Sequence, residues 1–148
     1  MGIVALATWI TAAAGGLYLV SIWLIEYDKE FQTTAATRLR PTVLISHITL
    51  AGGGLIVWAG YLLFKSHNLV WISALALLLA ATLGITMAIR WIGVYRETRA
   101  VKVAAGVDAR PIAGPPERNF PLPVVIGHGL FAVATLTIVL LIAFGASS

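Results

Sequence analysis

The stretch that decides the reading is Pro41–Phe64, PTVLISHITLAGGGLIVWAGYLLF. It is long enough to cross a bilayer as a helix, which takes about 20 apolar residues. It contains no Asp, Glu, Lys or Arg. Its one ionisable residue is His47, about 9 Å along the helix from Pro41 at 1.5 Å per residue. An ionisable group at that depth is costly, so it marks a functional site by default. The pattern recurs further on. V-L-I-S-H-I-T-L-A-G-G-G-L around His47 and V-V-I-G-H-G-L-F-A-V-A-T-L around His128 both fit V-x-I-(small)-H-x-x-x-A-x-x-x-L.

Working outward, three more apolar stretches have spanning length, so four spans are expected at about 3–25, 41–64, 69–91 and 121–145. The first has no basic start and too long an apolar run for a cleaved leader, and is read as a retained helix. Its small-residue segment Ala12–Gly16 suits close helix packing. Hydrophobic residues make up 59% of the 148 and charged residues 11%, against roughly 25% charged in a soluble domain. The expectation is a single all-α membrane domain over residues 1–148. It would be a four-helix bundle of up-down topology, built as two hairpins with a weak internal repeat.

Charge placement sets the orientation. Nine of the ten Lys and Arg lie in or beside the two long connections, 26–40 and 92–120, and only Lys65 lies in the turn between spans two and three. Basic residues favour the cytoplasm. Both long loops are therefore expected inside and both termini outside, in a bacterial plasma membrane. Trp23 and Trp91 at the inner ends, and Trp58 and Trp71 near the outer ones, fit an aromatic belt. The net charge of +4 is explained by this placement and not by nucleic acid. The six acidic residues, Glu26, Asp28, Glu30, Glu97, Asp108 and Glu117, are read mainly as solvated loop charges. RETRAVKVAA (96–105) has the character of a short basic helix lying on the membrane surface. The Pro- and Gly-rich part that follows reads as an irregular connector or docking surface, with neither a phosphate loop nor a catalytic triad pattern.

Cysteine is absent, which excludes disulfides, thiolate metal sites, iron–sulfur clusters and covalently attached haem. The histidines remain. His47 is six residues after Pro41 and His128 seven after Pro121, so their depths differ by about 1.5 Å. Spans two and four run in parallel, and two histidines at one depth can face each other across the core, where bundles build cofactor sites. Ala51 and Gly54 follow His47 on its face, and Ala132 and Thr135 follow His128. Gly127 and Gly129 flank His128. Small residues at these positions would leave room for a flat macrocycle. Arg90, at the inner end of span three, is placed to pair with its propionates. The competing reading is structural: neutral histidines bonded across helices to groups such as Ser46, Thr49 or Thr135. His67, in the KSHN turn, reads as a solvated turn residue.

On its two histidine frames, V-x-I-S-H47-x-x-x-A and V-x-I-G-H128-x-x-x-A, the chain resembles small four-helix b-type membrane cytochromes, the cytochrome b561 and membrane haem-anchor group. The resemblance covers the spans as architecture and these frames as motif. It implies haem b held by His47 and His128 as metal ligands, and electron exchange with a quinone or a partner membrane subunit. Members of the b561 type carry four histidines for two haems, whereas here His67 is the sole histidine left over. Two alternatives stand beside this. One is a non-catalytic accessory or assembly subunit of a larger membrane complex. The other is a small transporter or proton relay using the histidines. A stand-alone enzyme is the poorer expectation.

Overall fold

The computed structural model describes residues 1–27, 37–105 and 114–145. Four helices are present, α1 Gly2–Glu26, α2 Pro41–Phe64, α3 His67–Ala105 and α4 Leu122–Ala143, with a short 3-10 turn at Pro116–Asn119. All four are long and apolar enough to cross a membrane. The chain is an all-α, multi-pass membrane protein.

The helix boundaries have local causes. Pro41 opens α2 at the position where its missing N–H costs nothing. Lys65 closes α2 in the left-handed conformation (φ 56°), its N–H donating to the Tyr61 carbonyl at 2.8 Å. That reversal leaves two residues, Lys65 and Ser66, between α2 and α3, which forces them antiparallel. Pro121 stands immediately before α4.

The helices form a square in the order α1, α2, α3, α4. The sides are unequal: α2 packs along α3, and α4 along α1, more extensively than α1 on α2 or α3 on α4. The bundle is two tight pairs, α1/α4 and α2/α3, facing each other. Lipid is as apolar as Leu, so burial of apolar surface does not drive this association. Close approach of small residues and interhelical hydrogen bonds do. Large apolar side chains such as Ile3, Ile56, Ile89 and Leu130 are exposed on the outside. The buried positions hold Ala5, Ala12, Ala74 and Ala80 together with a few large anchors.

Two apolar clusters lie at opposite ends. At the end carrying the termini and the α2–α3 turn, Trp9, Trp58, Val70, Leu77 and Val139 fill the centre of the bundle. There Trp58 Nε1 donates to the Gly2 carbonyl at 3.2 Å. At the opposite end Trp23, Leu39 and Leu44 pack with Val20, Tyr27, Met87 and Phe120.

That second end differs from the sequence-based expectation in two ways. Residues 92–105 continue α3 as one helix of 39 residues, so the basic segment projects from the bundle and is not a separate surface helix. Its Ala, Arg, Lys and Glu are good helix formers, and no Pro or Gly interrupts it after Gly93. Glu117 is fully buried. Its carboxylate accepts the Arg38 backbone N–H at 2.6 Å and the Thr37 hydroxyl at 2.9 Å. Thr37 Oγ1 also accepts Trp23 Nε1–H at 3.2 Å, and the Glu117 carbonyl accepts Trp91 Nε1–H at 3.1 Å. Glu117 thus staples the two connections to each other and to a tryptophan from each helix pair. Glu97 is paired as well, with Arg38 at 2.7 Å, and that carboxylate raises the Arg38 pKa.

Candidate functional site

Between the two clusters lies the histidine layer. His47 on α2 and His128 on α4 stand across the diagonal of the square, with ring centroids 6.1 Å apart and planes at 68°. Each ring is held by the partner within its own tight pair. His47 Nδ1 lies 2.8 Å from the Ala80 carbonyl of α3. His128 Nδ1 lies 2.8 Å from the Ala12 carbonyl of α1.

Those two bonds fix the tautomers. A carbonyl oxygen can only accept, so each Nδ1 carries a proton, and in the neutral imidazole each Nε2 then presents a bare lone pair. Two such rings cannot hydrogen-bond to each other, because neither has an Nε2–H to give. Among the described residues no donor is bonded to either Nε2. An Nε2 lone pair is a base, able to accept a proton or to ligate a metal.

Backbone packing then locks the rings. A Cβ added at Gly16 would meet His128 Cε1 at 3.0 Å, and one added at Gly84 would meet His47 Cε1 at 3.2 Å. Each imidazole lies on a glycine one helical turn beyond the carbonyl that holds it. The two half-sites therefore have one construction: carbonyl at i, glycine at i+4, on the helix facing the histidine.

This construction extends along the chain. Ala12, Gly16 and Trp23 on α1, and Tyr27 just after it, correspond to Ala80, Gly84, Trp91 and Tyr95 on α3, each 68 residues later. Trp23 stacks on Tyr27 with centroids 4.3 Å apart, and Trp91 tilts over Tyr95 at 5.2 Å. Sequence reasoning missed the carbonyl and glycine contributions of α1 and α3. The signal was available as A-x3-G-x6-W-x3-Y occurring twice.

The other expected site residues divide. Ala51 and Ala132 are half-buried one turn from the histidines. Gly127 and Gly129 have open space where a Cβ would stand and pack against no neighbouring helix. Gly54 and Thr135 do not adjoin the histidines. Seven residues on, or about 10 Å along the helix, they fall at the level of the cluster at the end carrying the termini. There the Gly54 position abuts Trp9 and Ala76 at 3.1 Å. Thr135 donates to the Phe131 carbonyl and stands 2.9 Å from the Thr8 hydroxyl. Arg90 Nη1 donates to the Arg38 carbonyl at 3.2 Å, tying α3 to the first connection. Of the groups suggested as structural partners for the histidines, none of Ser46, Thr49 or Thr135 bonds to them; backbone carbonyls do. His67 is exposed and accepts Trp71 Nε1–H at 3.2 Å through its Nε2.

Among the described residues, no group of three or more His, Cys, Asp or Glu converges on a common point. A small ion needing three or four protein ligands therefore has no set of donors here. Comparison with protein-family models, with curated proteins and with solved structures finds no match to this chain.

Proposed function

We propose that this protein is a b-type membrane cytochrome, with one haem held between His47 and His128. The observation that carries the reading is the pair of bare Nε2 lone pairs, each enforced by a backbone carbonyl on Nδ1. Metal-bound histidines almost always donate their second nitrogen in this way, which fixes the ring and raises its basicity. The ring centroids stand 6.1 Å apart, close enough for His47 and His128 to hold one metal centre between them. Two protein ligands suffice when a macrocycle supplies the other four.

When bound, the group would supply one-electron chemistry. The chain's own residues do the rest. Ala12 and Ala80 orient the imidazoles, and Gly16 and Gly84 let the Cε1 edge of each ring come close to α1 and α3. The slacker seam between the two helix pairs is where a flat group can enter. The outer and inner clusters exclude water from the histidine layer. Arg90 stands towards the inner end, within a helix turn or two of that layer, as a cation for propionates. The concentration of Lys and Arg in the two connections supports a cytoplasmic position for that end, with both termini outside, in a bacterial plasma membrane. A quinone or a partner membrane subunit would complete the electron path.

The test is titration of the purified protein with haemin. We expect saturation at one equivalent, and no stoichiometric binding by His47→Ala or His128→Ala. The 68° angle between the rings predicts a strongly anisotropic low-spin electron paramagnetic resonance signal, as crossed axial planes give. Equal binding by both variants would overturn the proposal. A protein that takes up no haem but whose histidines share a proton by NMR would be a proton relay instead.

A further inference from the structure

The two connections meet at a buried charge. Glu117 is fully buried, and both its carboxylate oxygens accept, one from the Arg38 N–H and the other from the Thr37 hydroxyl. The direction of the second bond follows from the other partners of Thr37. Its Oγ1 accepts Trp23 Nε1–H at 3.2 Å and the Leu39 N–H at 3.1 Å. Those two bonds fill its lone pairs, so the hydroxyl can only donate. Its nearer acceptor is Glu117 Oε2 at 2.9 Å, against 3.2 Å to the Leu39 carbonyl. Neither Thr37 nor the Arg38 N–H can take a hydrogen from a protonated carboxyl, and both contacts favour the ionised carboxylate.

That charge stands close to the histidine layer. Trp23 and Trp91 bond Thr37 and the Glu117 carbonyl. Each lies seven residues beyond the glycine that meets a histidine, Gly16 or Gly84, which is about 10 Å along the helix. Leu44 and Met87, three residues from His47 and Gly84, pack in the apolar cluster that intervenes. A field crossing such a cluster is screened less than one crossing water.

We propose that the Glu117 carboxylate sets the reduction potential of the histidine site by favouring the oxidised form of the group bound there. The inference rests on haem binding at His47 and His128. Ferric haem carries one positive charge more than ferrous haem, so a fixed negative charge nearby stabilises it. Removing the carboxylate changes the charge beside the site by one whatever cations stand near it, Arg38, Arg90 and Arg118 included. At about 10 Å and the effective dielectric of a protein, one charge shifts a one-electron equilibrium by roughly tenfold.

The haem-loaded full chain would be titrated with redox mediators at an electrode while its absorbance is followed. At the potential where wild-type ferric and ferrous forms are equal, we expect E117Q to favour the ferrous form by about tenfold. E97Q removes an exposed charge paired with Arg38 and should stay within about twofold of the wild type. T37V separates charge from scaffold. It loosens the same staple, so its melting temperature falls as that of E117Q does. It keeps the carboxylate and removes a donor that offsets the charge, so its ratio moves towards the ferric form. An unshifted E117Q, or a T37V that does not move towards the ferric form, would overturn the proposal. Should E117Q fail to fold, the sign of the T37V shift decides alone. A chain that takes up no haem would remove the reading beneath this one as well; haem bound with unshifted potentials would remove this inference only.

Discussion

The two helix pairs, α2/α3 and α1/α4, build the same half-site from different side chains. In both, a histidine on one helix bonds a backbone carbonyl on its neighbour and lies on a glycine four residues further on. The correspondence continues to Trp23 and Tyr27 against Trp91 and Tyr95, and dissolves on the other side of the layer, towards the termini. Continuing the 81-residue offset between the histidines, Gly54 and Trp58 on α2 stand opposite Thr135 and Val139 on α4. In the cluster at the end carrying the termini, Trp9 of α1 stands where α3 has Leu77, and Trp58 of α2 where α4 has Val139. What the two halves share is backbone geometry around an imidazole, and what they vary is how the remaining volume is filled. Packing alone would vary at both levels. The shared part therefore points to a constraint at the histidines.

The largest test of that symmetry removes each ring in turn. His47→Ala and His128→Ala should abolish haem binding equally, and the double variant should be no worse than either single one. A half-site that could be deleted without loss would break the comparison. Next come the glycines. Gly16→Leu and Gly84→Leu should drive the ring off its carbonyl and empty the site. With alanine, Gly16 should suffer more than Gly84, because its contact is tighter, 3.0 Å against 3.2 Å. Gly127→Ala and Gly129→Ala should leave the spectrum unchanged.

Smaller effects separate site from scaffold. Glu117→Ala leaves the Arg38 N–H and the Thr37 hydroxyl without their buried carboxylate. It should cost about 1.5–3 kcal/mol of stability, read as a lower melting temperature, with the absorption maxima unmoved. Ser73 is the repeat partner of Ala5. Its buried hydroxyl has no hydrogen-bond partner among the described residues. Ser73→Ala should therefore stabilise the protein, by about 1 kcal/mol. A destabilised Ser73→Ala would mean that the hydroxyl has a partner and that the two halves differ there for a reason.

Much of this was legible in the residues. Uninterrupted apolar length placed α1, α2 and α4, and the start of α3, to within a few positions. A short turn was expected at 65–68 and is two residues, Lys65 and Ser66, and near-equal counts, six from Pro41 and seven from Pro121, put the two histidines within about 1.5 Å in depth. Four things were not legible by the same signals. Gly54 and Thr135 share the histidine faces, but being small does not tell a vacant position from one filled by Trp9. The hydropathy of α3 ends near Trp91 while its helix does not, because backbone hydrogen bonding continues through polar helix formers into water. Glu117 reads as a loop charge until residues 79 positions apart meet, since a buried carboxylate is defined by partners distant in sequence. The pairing of α1 with α4, and hence the roles of Ala12 and Gly16, needed the topology, although the doubled A-x3-G-x6-W-x3-Y spacing carried a trace of it.

The central claim is that the two bare nitrogens hold one iron. The visible spectrum of the protein, purified after expression with ample haem and recorded oxidised and then dithionite-reduced, tests it most directly. The account predicts a Soret band that shifts on reduction, with sharp α and β bands of low-spin six-coordinate haem. A colourless protein, or a high-spin spectrum unchanged in His47→Ala and His128→Ala, would contradict it.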